Sequence, residues 1–380
     1  MHANALQSPP SVIHIQSDPE SVFWGVLPSQ NDPPLAVVDS ASTISIDTLS
    51  HEGVLEDQGG DPIAFFGAQG VPPEQVLDDA VDLVSQLTHP KGVGPHIVNR
   101  RIDVAGARAG DYLKIDVLRL LPRVPYGIIS NRHGKGVLTD TFPREHGTIS
   151  IFAKQILHEG RMWGVIDKAG PDAIARYRER NGDRGKYRLS SPPEEGGSLS
   201  FPLHPFLGIM GVTPATDEHL NTVPPGDFGG NIDINLLVEG SSLYLPIQVD
   251  GAGFYTGDPH FAQGNGEVSL TALEASLRAD LRLTVIPRRN FVERYGALRG
   301  PLVETPEYLV TTGRALTLDE ALRNCVSEAV LALTHMHGMD DTHAYALASA
   351  CVDFNISEAV DIVKGVHACI PKTCFDMPRP

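Results

Sequence analysis

The chain has few cysteines and no dense cysteine framework. All four (Cys325, Cys351, Cys369 and Cys374) lie in the last quarter and no CxxC occurs, so reduced thiols in a cytoplasmic protein are the expectation. Positive charge is scarce too. Lys plus Arg number 30 against 47 Asp plus Glu, a formal charge of −17, which excludes nucleic acid and anionic membranes as partners. No apolar run reaches the length of a membrane span. The first twenty residues lack the basic start and apolar stretch of a secretion signal. No repeat of fixed period is visible.

What is abundant is turn-forming sequence. With 37 Gly and 30 Pro in 380 residues, many short strands joined by turns are favoured over a helical bundle. Alternating apolar residues predict strands over 35–39, 43–49, 101–104, 112–118 and 279–286. Helical spacing predicts a helix over 75–87. From residue 318 the period changes, with a long helix ending at Gly338 and two more over 342–351 and 357–363. The expected fold class is mixed α/β: a β-sandwich-like sheet core over 1–310, with a variable insertion at 165–200, and a helical C-terminal region over 311–380. The basic stretch AIARYRERNGDRGKYR inside that insertion reads as a solvated face. Residues 1–20 read as an arm or an edge strand.

Residues 226–270 concentrate the chemistry. Glycine-rich turns flank an apolar run and carry Asn231, Asp233, Asp258, His260 and Glu267. Carboxylates and an imidazole on loops held by strands suit a metal or acid/base site. The same residues are also ordinary turn and cap formers, and for Asp233 the two readings are even. His335, His337, Asp340, Asp341 and His343 look like a metal cluster, but the spacing lacks the i, i+4 pair of a helical site, and caps explain them better.

The stretches GVGPHIVNRRIDVAGARAGDYLKIDVL, HPFLGIMGVTPAT, FGGNIDINLLVEGSSLYLPIQVDGAGFYTGDPHFAQGNGEV and the tail from TTGRALTLDEALRNCV resemble the acetamidase/formamidase family of amide hydrolases. That resemblance implies a mixed architecture with sheet packing at its centre, small amides as substrates, ammonia as product, homo-oligomers and a divalent metal, zinc. Asp47 falls near an acidic position of the family and His96 at a position where relatives carry His or Asn. The resulting expectation makes Asp47, His96, Asp233 and His260 metal ligands, Glu267 the general base, and Asn231 and Asp258 further catalytic groups. Asn231 would donate to the developing oxyanion. The family pattern is close to GDGHAAQGDGE. Here Pro259, Phe261 and Asn265 depart from it; the first two would narrow or reshape the pocket, the third removes a carboxylate, and together they leave the identity of the amide open. Two other readings stay open: a thiol amidase using one of the four cysteines, and a binding module without catalysis.

Overall fold

The computed structural model describes residues 12–144, 147–167 and 197–375. Most of the insertion expected at 165–200, including its basic stretch, lies outside them. Two sheets dominate the described residues. The first has nine strands. From one edge it runs Ile13–Ile15, Ser42–Asp47, Leu277–Ile286, Tyr112–Pro122, Ser242–Pro246, Leu302–Glu304, Tyr308–Ala315, Lys364–Pro371 and Asp353–Glu358. The second has twelve, with the path Ser198–Pro202, Arg161–Asp167, Thr148–His158, Tyr126–Arg132, Leu273–Glu274, Phe254–Ala262, Phe206–Val212 and Gly229–Asn231, plus four short strands beside it.

Alternation explains how the sheets face each other. In Leu277–Ile286 every second residue is apolar, and Leu277, Ala279, Leu281 and Leu283 are fully buried. The same core takes Leu113, Ile115 and Leu243 from the first sheet and Leu207, Met210 and Phe261 from the second. One apolar layer therefore joins both sheets, as in a sandwich. Phe206–Val212 is buried along its whole length, which gives a continuous apolar run rather than an alternating one.

The helices behave as their caps dictate. Thr317 caps Leu318–His337 by accepting from the Glu320 amide, and Gly338, at φ 62°, ends it. Asp340 caps Asp341–Cys351. Asp340 also pairs with His343, as a cap reading suggested, whereas His335 reaches across to the Glu293 carbonyl and His337 stacks on Phe375. The long helix lies tight against Tyr308–Ala315. A Cβ on Gly313 would meet the Ala321 oxygen and Cys325 nitrogen at 2.2 Å, so only glycine permits that approach.

The expected third helix over 357–363 does not form. Residues 353–358 are instead a strand paired antiparallel to Lys364–Pro371. The apolar spacing that suggested a helix belongs to a strand end followed by a turn. The region after 311 adds these two strands to the nine-stranded sheet, and Tyr308–Ala315 runs through the expected boundary at 310.

Candidate metal centre

Seven non-glycine residues among those described have positive φ, and four of them, Asp233, Asp258, Glu267 and Leu270, line a single cleft of about 400 Å³. Residues held in this sparsely populated region cluster at functional sites. Three are carboxylates.

Asp258 and His260 come from the strand Phe254–Ala262, which is irregular just beyond His260 in its pairing with Leu273–Glu274. They share one face of that strand, while Pro259 and Phe261 share the other. Phe261 is fully buried in the main core and Pro259 pairs with Leu207. Neither lines the cleft, so neither narrows it by direct contact: adjacency in sequence to His260 is opposition across the pleat. Asn265 is exposed in the following turn. Gly208, on the neighbouring strand, supplies room. A Cβ there would lie 2.6 Å from Asp233 Oδ1 and from Asp258 Oδ2, and 2.7 Å from His260 Cε1.

Two histidines, His51 and His96, each have one ring nitrogen facing an outer partner and the other facing Asp258, while His260 has both facing buried carboxylates. His51 Nε2 is 3.3 Å from Glu52, and its Nδ1 is 3.5 Å from Asp258 Oδ1. His96 Nδ1 is 3.0 Å from the Thr222 hydroxyl, and its Nε2 is 3.9 Å from the same Asp258 oxygen. The two rings meet edge to face at 5.3 Å. His260 Nε2 lies 3.0 Å from Asp258 Oδ2 and 3.1 Å from Glu274, and its Nδ1 lies 3.9 Å from Asp233. Glu52 is in turn held by Arg132, Ser130 and Gln58.

The charges do not balance within the cleft. Asp233, Asp258, Glu267, Glu274 and Asp361 all line it. Burial, reinforced by neighbouring carboxylates, pushes the pKa values of Asp233, Glu267, Glu274 and Asp361 above the usual range. Asp258 goes the other way: burial opposes ionisation, but His260 and His96 beside it hold its carboxyl well below. Burial lowers His96 to about 4, so its imidazole is neutral and able to donate a lone pair. Burial would lower His51 as well, yet Asp258 and Glu52 raise it to about 10.

Both oxygens of Asp233, Asp258 Oδ1 and both nitrogens of His51 and His260 are buried without an aligned hydrogen-bond partner. A bound cation satisfies such atoms where protein groups do not. Two imidazole nitrogens and a carboxylate oxygen, from His51, His96 and Asp258, lie within 4.8 Å of one another. Asp233, His260 and Glu267 form a second such group, and Asp258, His260 and Glu274 a third. These donor sets fit a metal ion.

Of the residues expected from sequence, the cleft brings together His96, Asn231, Asp233, Asp258 and Glu267 in its lining, while His260 is fully buried against Asp258 and Glu274. The cleft does not include Asp47. That carboxylate is taken by Arg278 at 2.6 and 2.9 Å, with His14 at 3.0 Å and Arg123 at 3.7 Å. Asn231 also departs from expectation. Its Nδ2 already donates to Asp361 at 2.6 Å and to the Val223 carbonyl, leaving Oδ1 free; it offers an acceptor rather than an oxyanion donor. Sequence reasoning left out His51 and missed Glu274 and Asp361. The one signal was His51-Glu52 just after a strand end, a histidine followed by its own carboxylate partner. None of the four cysteines lines the cleft, and Cys325 is buried with its thiol pushed up to about 12, a poor nucleophile.

Two facing sheets that carry a buried histidine–carboxylate centre in a strand-lined cleft define the class of protein. Residues 75–377 match the model of the Acetamidase/Formamidase family, and the chain belongs to that family. It is similar to a formamidase of Methylophilus methylotrophus, 29% identical over 60% of this chain and 61% of that one. It is also similar to an acetamidase of Mycolicibacterium smegmatis, 30% identical over 54% and 57%. The chain thus spans about three-fifths of the length of these curated relatives. Crystal structures of an acetamidase from Bacillus halodurans and of a predicted acetamidase/formamidase from Thermoanaerobacter tengcongensis share the fold. Each has a TM-score of 0.67, at 20% and 21% identity, over 96% of this chain and 99% and 98% of theirs.

Proposed function

We propose that this protein hydrolyses the C–N bond of an amide to a carboxylate and ammonia, at a divalent metal site of the zinc type held by His51, His96 and Asp258. The observation that carries the reading is the convergence of those three donors, with Glu52 and Thr222 fixing the far side of each imidazole. Two nitrogens and one oxygen suit zinc, and three protein ligands are the number a catalytic site uses. Such an ion, when bound, supplies carbonyl polarisation and a water of lowered pKa.

The remaining groups divide the proton work. Glu267 is 8% exposed and its pKa is raised by burial and by Asp233 and Asp361. A carboxyl poised nearer neutrality suits a base that takes a proton from water and returns it to the departing nitrogen. Asn231 Oδ1, free and buried, accepts from the amide N–H and so orients the leaving group. His260, between Asp258 and Glu274, positions Asp258. Asp233 and His260, expected as ligands from sequence, take these outer places in this assignment. The substrate is a free small molecule, and a formal charge of −17 disfavours nucleic acid and anionic membranes as partners.

The test is Glu267→Gln. Ammonia release should fall by about 10²–10⁴-fold while elemental analysis finds the metal at the wild-type level. Full activity in the variant would remove Glu267 from the mechanism.

A further inference from the structure

We infer that the amide taken by this cleft carries an apolar acyl group of several carbons, and that Leu270 is a residue that selects it. The inference rests on the amide-hydrolase reading and deepens it. The chemistry above uses only part of the lining, yet the cleft holds about 400 Å³. That is room for about thirteen waters at roughly 30 Å³ each. It falls in the roughly 300–1,000 Å³ range of pockets that enclose ligands far larger than formamide or acetamide.

The lining is of two kinds. Beside the histidines and carboxylates, and the cations Arg132 and Lys135, it includes Val93, Val223, Leu270, Val360 and Ile362. They come from four separate loops, so apolar lining is contributed by several parts of the chain rather than by one segment. Ile362 is 60% exposed, an apolar lining side chain kept in water where a polar one would cost nothing.

Leu270 carries the argument further. It sits at φ 112°, where a side chain is strained and glycine is not. Its amide donates to the Glu267 carbonyl at 3.1 Å, so the turn that presents the proposed base also presents this leucine. The turn is stapled to the end of strand Asp353–Glu358 through Gly266, whose amide donates to Ser357 and whose carbonyl accepts from Ala359. A fold free to relax would place glycine at 270. Keeping leucine there makes sense if its side chain is needed in the cleft it lines.

A homologous series tests this: formamide, acetamide, butyramide and hexanamide, assayed by ammonia release with the metal-loaded enzyme. kcat/KM should rise with chain length by about fourfold for each methylene that the apolar lining buries. In Leu270→Gly the ratio of kcat/KM for hexanamide to that for acetamide should fall at least tenfold, and Leu270→Met should restore most of it. A purely structural role for Leu270 would lower every substrate alike and leave the ratio unchanged. A preference for formamide or acetamide over the longer amides, or an unchanged ratio in the glycine variant, would overturn the inference and leave amide hydrolysis standing. Failure to hydrolyse any amide in the series would overturn both.

Discussion

Asp47 and His51 lie four residues apart; the sequence pointed to Asp47 as a metal ligand, whereas the proposed centre uses His51. Replacing each separates the two accounts. Asp47 is 5% exposed and pairs across the sheet with Arg278, its register partner. Breaking a buried ion pair costs about 3–5 kcal/mol because the surviving charge is stranded. Here the stranded charge is mild: Arg278 is 42% exposed and can turn to water, and Arg123 keeps Asp79 at 2.7 Å. The discount for exposure brings Asp47→Asn to about 2 kcal/mol, read as a lower urea midpoint with an unchanged slope. Metal content and ammonia release should stay at wild-type levels. His51→Ala should do the reverse: it removes one of three donors, so metal measured by elemental analysis after dialysis should be largely lost. An Asp47→Asn protein that loses its metal, beside a His51→Ala protein that keeps it, would refute the assignment and return Asp47 to the site.

Two further outcomes follow from groups with defined neighbours. Gly208→Ala should leave a folded protein, judged by circular dichroism, whose activity falls at least tenfold. Its Cβ would press on Asp233, Asp258 and His260 within 2.7 Å, and misplacing such groups by an ångström costs about 10²-fold; undiminished activity would show that the cluster around Asp258 is not where catalysis occurs. Glu304 governs a pH response elsewhere. Burial would raise its pKa, but Lys372, Tyr295 and Arg294 together hold it below the usual range. A depressed carboxyl stabilises the fold above its unfolded pKa, near 4.5, and that contribution disappears as pH falls through the folded value. Wild type should therefore lose stability more steeply below about pH 4.5 than Glu304→Gln, and parallel acid-denaturation curves would show that the network contributes nothing.

Legibility in the sequence followed the range of the interaction. Capped helices were readable because Thr317, Gly338 and Asp340 act within one turn. The strand Leu277–Ile286 was readable because alternation is local. The stretch 357–363 failed for the same reason: apolar residues in so short a window fit a helix, and only pairing with Lys364–Pro371 makes 353–358 a strand. Within the centre, Asp233, Asp258, His260 and Glu267 lie close together in the chain and were found together. His51, Glu274 and Asp361 were not. His51 and Asp361 are more than three hundred residues apart, and no spacing rule spans that distance. Phe261 was misplaced because a one-residue step along a strand reverses the face.

The cleft is also where the chain departs most from what stability alone would favour. Carboxylates with raised pKa values crowd a buried volume, Asp233 has no aligned partner for either oxygen, and four side chains sit at positive φ. Each departure is unfavourable by itself, by about 1–3 kcal/mol for a strained backbone position and by a similar amount for an unpaired buried polar group. The two-sheet core around it offsets these terms with a continuous apolar layer from both sheets. Strain of this kind has no packing explanation at Asp258 or Glu267, since an asparagine or glycine would fill either position at lower cost. It does have a chemical one: three of the four strained residues are carboxylates lining the cleft. The backbone of the strand and its following turn is thus set by where those carboxylates and the Leu270 side chain are needed, and the surrounding sheets hold it there.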